Sequence, residues 1–165
     1  MSAEDWYKVE NVDEVPSPAL LVYPDRVEEN IKRTIATTGT VDRLRPHVKT
    51  HKMPEVIRRQ LAAGLNKFKA ATIAEVEMVA SAGGKDILLA YQPVGPNIGR
   101  LRQLADRFQD VRFGAVVDCT QSVSRLNEAF ADAPGKLHAY LDLDCGMHRT
   151  GIVAGGRAID VYRAI

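Results

Sequence analysis

Cysteine is scarce in this chain of 165 residues: Cys119 and Cys145 are its only two. Two are too few for a disulfide framework, and they lack metal-ligand spacing, so the expected setting is a reducing, cytoplasmic one. Charge of one sign is missing as well. Lys and Arg number 22 against 21 Asp and Glu, a formal net charge of +1, without the basic surplus of a dedicated nucleic-acid binder. No apolar run approaches the ~20 residues that cross a bilayer. The acidic start, Met1-Ser-Ala-Glu-Asp-Trp6, has no cationic segment leading into an apolar one, so no secretory signal is read. What is present is 45% hydrophobic and 26% charged, too apolar for disorder and sufficient for one core.

Strand-like and helix-like segments alternate along the chain. Residues 19–23 form a short apolar run after Pro16-Ser-Pro18 and read as a strand. Pro24 opens a helix carrying Val27, Ile31 and Ile35, which stops before Gly39. Residues 44–48 read as a short extended segment, with Pro46 pushing Arg45 towards β geometry. Pro54 then opens a helix ending at Gly64. Strands follow at 68–71, 86–90, 111–117 and 137–143, separated by helices at 73–82, 98–108 and 120–131, with another helix starting at 157.

Counted from Leu44, this makes five β-then-α units at a repeat of roughly 20–26 residues, the pattern of parallel strands joined by helical crossovers. An open doubly wound sheet and a partial (β/α)8 barrel both satisfy it. A complete barrel needs about 250 residues, so the barrel reading implies truncation after about five units. Residues 1–43 then precede the barrel and residues 44–165 form its first part, without the later strands or a C-terminal β domain. Open sheet edges and uncovered apolar faces lead to the expectation that this segment alone is poorly folded and has little turnover.

The densest polar cluster is Arg43-Leu-Arg-Pro-His-Val-Lys-Thr-His-Lys52. Period two places Arg45, His47 and Lys49 on one strand face, and Lys49 at the C-terminal end, where α/β folds build active sites. Crowding by Arg45, His47, His51 and Lys52, together with desolvation, favours a neutral Lys49 amine. That is the form that attacks a carbonyl. The competing reading is a solvated basic strand end or a non-catalytic anion site.

A second candidate is the loop Leu141-Asp-Leu-Asp-Cys-Gly-Met-His-Arg-Thr-Gly151. Gly146 and Gly151 permit a tight turn, and Arg149 offers a rigid donor fork for an oxyanion or phosphate. Asp142 and Asp144 share a strand face, a weak divalent-metal signal. The plain alternative pairs Asp144 with Arg149. Cys145 reads as inert. Trp6 and Tyr7 precede any regular element and are expected to dock on a part outside the chain.

Four stretches in fixed order carry a resemblance: Pro18-Ala-Leu-Leu-Val22, Arg45-Pro-His-Val-Lys-Thr-His-Lys52, residues 87–95 and Asp144-Cys-Gly-Met-His-Arg149. Together they resemble the N-terminal part of the D-threonine aldolase and D-serine dehydratase family. These are fold-type III enzymes that use pyridoxal 5′-phosphate (PLP) and are relatives of alanine racemase. The resemblance implies an alanine racemase-like N-terminal barrel domain, with residues 19–23 belonging to the separate β domain. It implies that Lys49 carries PLP as a Schiff base, that Arg149 approaches the cofactor's phenolic oxygen, and that His47 lies beside it. The implied activity is a lyase acting on D-3-hydroxy amino acids, with an amino-acid racemase or a non-catalytic PLP carrier as alternatives. A homodimer is also implied, and a divalent metal (Mn or Zn) whose ligands lie in the C-terminal β domain, so none is assigned here. Neither nucleic acid nor membrane is an expected partner.

Overall fold

Prolines and glycines punctuate the chain where the alternation requires them. Pro24, Pro54 and Pro96 each stand in the first turn of a helix, where a missing N–H leaves no bond unmade. Gly39, at φ 77°, closes the first helix in the left-handed conformation. The computed structural model describes residues 6–165. Its helices are α1 (Pro24–Thr38), α2 (Pro54–Ala62), α3 (Ile73–Ser81), α4 (Pro96–Arg107), α5 (Thr120–Phe130) and α6 (Gly156–Ala164). The strands are β1 (Lys67–Ala70), β2 (Asp86–Leu89), β3 (Arg112–Val117), β4 (His138–Leu141), β5 (Leu143–Asp144) and β6 (Ile152–Val153). Strands β1 to β4 form one parallel sheet in sequence order, and β5 pairs in parallel with β6. No helix among the described residues is long and apolar enough to cross a membrane.

The pleat divides the sheet into two chemically different faces. Phe68 and Ala70, Ile87 and Leu89, and Phe113 and Ala115 are buried and pack under the helices with Ile57, Val76, Val79, Leu101 and Leu104. The alternate residues form the other face, the inner one of a barrel. Hydrogen-bond register aligns Lys67, Asp86 and Arg112 in one row, and Lys69, Leu88, Gly114 and His138 in the next. Gly114 is required there: a Cβ would lie 2.8 Å from the Tyr140 ring and 3.2 Å from the His138 carbonyl oxygen.

Four expectations need correction. Residues 19–23 are not a strand; they carry no regular structure, with Leu20 76% exposed, and no described strand pairs with them. Residues 44–48 shrink to a single parallel bridge between His47 and Lys69. Pro46 has no N–H to offer, so only its carbonyl joins β1, accepting from Lys69 N at 2.9 Å. The predicted strand 137–143 breaks at Asp142, after which β5 turns to the unpredicted β6. Trp6 docks within the chain: it meets the Tyr23 ring edge-on at 5.1 Å, and the Arg26 guanidinium lies over it at 4.4 Å. The Tyr23 hydroxyl donates to the Tyr7 carbonyl at 2.7 Å.

At the N-terminal ends of the strands, Asp86 ties the inner face together. Its Oδ1 accepts from Arg45 at 2.7 Å and its Oδ2 from Arg112 at 2.9 Å, while Arg112 reaches His138 Nδ1 at 3.2 Å. Arg45 therefore turns to the end of the sheet opposite the Lys49 turn and does not crowd that lysine. Burial alone would raise the Asp86 carboxyl; the bonds from Arg45 and Arg112 outweigh it and hold the group below its ordinary value of 3.8. A carboxylate depressed in this way contributes stability above its unfolded value and loses it as pH falls through the folded one. Asp86→Asn is expected to cost about 2 kcal/mol at neutral pH, because two guanidinium groups lose their counter-charge. The gap between the wild-type and variant urea midpoints should narrow as pH falls below the ordinary 3.8.

Candidate active site

The cluster around Lys49 builds a turn in which almost every residue has a structural task. Val48 is fully buried and anchors the 3₁₀ turn Val48–Thr50 in the core. His47 caps that turn, its Nδ1 accepting from Lys49 N at 3.3 Å. The Thr50 hydroxyl returns a bond to the His47 carbonyl at 3.3 Å. His51 Nδ1 accepts from Met53 N at 3.0 Å at the entry to α2. Lys52 adopts φ 50° and donates from Nζ to the Lys49 carbonyl at 2.8 Å. Arg45 is committed to Asp86. The Lys49 amine is the exception: among the described residues it makes no hydrogen bond or ion pair, and the residue is exposed. The expected desolvation of Lys49 is therefore absent in this chain, and Lys49 lies on the turn, not in a strand face shared with Arg45.

His47 is half-buried, and its pKa falls below the ordinary 6.5, first through burial and then through the positive charges of Lys49 and Lys69. It is thus neutral at pH 7, and because Nδ1 accepts from Lys49 N, the ring proton belongs on Nε2. Burial lowers His51 in the same way.

Residues that follow the other strands share this end of the sheet. Asp144 organises the loop between β5 and β6: its Oδ1 accepts from Gly146 N at 2.9 Å and His148 N at 3.0 Å. Its Oδ2 meets His148 Nδ1 at 2.7 Å. The backbone bonds from His148 and Gly146 hold the carboxyl below its ordinary value. Asp144 thus pairs with His148 rather than Arg149, because only the histidine folds back over the turn. Arg149 is exposed and makes no hydrogen bond or ion pair among the described residues. Gly151 closes the loop at φ 91°, where a Cβ would sit 2.8 Å from Asp144 N.

Asp142 diverges from Asp144. Its Oδ2 accepts from Gln92 Nε2 at 3.2 Å, and the same nitrogen donates to Asp118 Oδ2 at 2.8 Å. Among the described residues no three His, Cys, Asp or Glu side chains come together as a metal site. Gln92, Asp118, Lys69 and the buried Glu75 escape a reading by sequence. Only Glu75 leaves a local trace, the Thr72-x-x-Glu75 spacing of a helix cap, realised as Glu75 N donating to Thr72 Oγ1 at 3.2 Å.

A parallel sheet whose strands are joined by helical crossovers has known counterparts. The chain belongs to the alanine racemase N-terminal domain family, which it matches over residues 22–165. It is similar to the D-threonine aldolase of Arthrobacter sp., 29% identical over 139 residues, 84% of this chain and 36% of that protein. The D-threo-3-hydroxyaspartate dehydratase of Delftia sp. (strain HT23) is 31% identical over 140 residues, again 84% of this chain and 36% of the relative. The crystal structure of D-threonine aldolase from Filomicrobium marinum superposes with a TM-score of 0.83 at 29% identity, covering 93% of this chain and 41% of that one. The chain therefore spans about two-fifths of the length of these relatives.

The cap on the Lys49 turn is testable. His47→Ala is expected to lower stability by about 1 kcal/mol in urea unfolding, whereas His47→Asn, with a capping oxygen, should retain most of it. His47 stays neutral when folded, so its contribution is present above the ordinary 6.5 and declines as pH falls below that value. The difference between wild type and the alanine variant should shrink over that range.

Proposed function

We propose that the protein is a PLP-dependent lyase of D-3-hydroxy amino acids, of the D-threonine aldolase or D-serine dehydratase type. One observation carries the reading: on a turn fixed by bonds from His47, Thr50 and Lys52, the Lys49 amine is exposed and makes no hydrogen bond or ion pair among the described residues. The donor set fits the cofactor chemically. A primary amine suits the aldehyde, a free guanidinium at Arg149 suits an anionic oxygen, and a neutral His47 lies beside the lysine turn. Lys49 would hold PLP covalently, with Arg149 and His47 flanking it. When bound, the cofactor supplies an electron sink for charge developing at the substrate Cα.

The chain's own residues set the conditions for that chemistry. Arg149, permanently charged and without a carboxylate partner, places a cation where an oxyanion can dock. His47 presents its Nε2–H as a donor and takes up no proton near neutrality. The Val48 anchor keeps the backbone of the lysine from shifting when its side chain exchanges partners. The named relatives favour a lyase over a racemase. The continuation Thr50-His51-Lys52 and the His148-Arg149 loop favour a lyase over a cofactor carrier. The reading extends to a homodimer acting on a D-amino acid in the cytoplasm, with residues 1–43 preceding the barrel begun by residues 44–165. It also includes Mn or Zn held outside this chain.

The test uses the intact protein with PLP. Borohydride fixation followed by peptide mapping is expected to place the cofactor on Lys49. Lys49→Ala should remove the visible absorbance and lower turnover at least about a thousandfold. D-Threonine and D-serine, with and without Mn²⁺ or Zn²⁺, should yield glycine plus an aldehyde, or a keto acid plus ammonia. Label on Lys52 or Lys67 would overturn the assignment, and formation of the L-enantiomer without cleavage would replace the lyase by a racemase.

A further inference from the structure

Glu75 is the one buried charged residue among those described, at 4% exposure. It stands in the first turn of α3, where the helix dipole favours a negative charge. Its Oε2 accepts from Ala71 N at 2.8 Å, so the loop after β1 grips the carboxylate through its backbone. The other oxygen, Oε1, faces Lys52 Nζ at 3.6 Å. That ammonium in turn donates to the Lys49 carbonyl at 2.8 Å. A chain of carboxylate, ammonium and carbonyl thus runs from the loop beside the first paired strand to the turn that carries Lys49. Lys52 holds φ 50° to make it, a left-handed conformation unfavourable for a residue with a Cβ. The strain has an evident compensation: the left-handed residue brings its amine back over its own turn.

This geometry has a chemical consequence. Two lysines three residues apart offer two amines to any aldehyde arriving at this rim. One is engaged on both sides; the other is free. We propose that Glu75 and Lys52 are positioning residues for Lys49, holding the turn and keeping the second amine away from the incoming aldehyde. The proposal rests on the reading of Lys49 as the PLP anchor and adds to it the device that selects one lysine over its neighbour. The selected reaction is addition of an amine to an aldehyde with loss of water, and borohydride then delivers hydride to the carbon of the new C=N bond, fixing the site.

The experiment reads where pyridoxal 5′-phosphate is fixed, and how fast, in the intact protein, with the thermal midpoint as a measure of folding. In the wild type, label is expected on Lys49. Glu75→Gln retains an oxygen for Ala71 N–H but loses the charge, and should lower the Lys49:Lys52 labelling ratio about tenfold. Lys52→Ala removes an exposed side chain, so the fold is retained, and should slow labelling of Lys49 about threefold without moving the thermal midpoint. Lys52→Arg, which keeps a donor for the Lys49 carbonyl and a positive charge facing Glu75, should restore the wild-type rate. An unchanged ratio in Glu75→Gln together with an unchanged Lys49 rate in Lys52→Ala overturns the positioning role while leaving Lys49 as anchor. Wild-type label away from Lys49 overturns the anchor itself. Should Glu75→Gln not fold, the Lys52 pair decides alone, a rate unchanged in both variants refuting the proposal.

Discussion

Val48 and Lys49 are consecutive, yet one is fully buried and the other exposed, and the rest of the site depends on that contrast. A flexible four-carbon side chain is useful as a nucleophile only when the backbone beneath it is fixed, because small displacements of a reacting atom are costly in rate. Val48 supplies the fixation through the core it shares with Ile57, Phe68 and Ile87. The 3₁₀ turn then rotates the next residue outward within a single step. His47, Thr50 and Lys52 satisfy the polar groups this short turn leaves over, which a longer helix would have satisfied internally.

Polar satisfaction is distributed unevenly along the strands, and the unevenness gives the sheet a direction. At the N-terminal ends, Arg45, Asp86, Arg112 and His138 bond to one another across neighbouring strands. These four side chains satisfy one another there. At the C-terminal ends, Lys49 and Arg149 remain without partners among the described residues, while Asp144 and His148 spend their bonding capacity on shaping the loop. In parallel β/α architectures the first end carries stability and the second carries chemistry. Here the division can be read from hydrogen bonds alone.

The helices were legible in sequence because proline, glycine and apolar spacing act locally, and the structure reproduces them within a few residues. Strands were legible only where a neighbour exists. Residues 19–23 have the right composition and no partner; residues 44–48 have a partner, but Pro46 withholds the donor. A two-residue element such as β6 has no period to detect. The site divides along the same line. Lys49, Arg149 and His47 stand out through motif and position, but which charges cancel is a long-range fact. Arg45 finds Asp86 41 residues away, and Asp142 meets Gln92 at a separation of 50. Glu75 was hidden for the opposite reason, since a glutamate in a first helical turn reads as solvated and here is buried.

The composition of the inner face bears on why one histidine beside the lysine turn stays neutral. The bridge from His47 to Lys69 continues the register row through Leu88 and Gly114, and none of these residues is a carboxylate. Glu75 acts on the ring in the opposite sense but more weakly than Lys49 and Lys69 do. Burial and two ammonium groups therefore decide the outcome, and the protonated ring is disfavoured where a third positive charge would stand. A neutral His47 keeps Nδ1 available to the Lys49 N–H. The same electrostatics that leaves the rim cationic and receptive to an anion thus preserves the cap that holds the lysine in place.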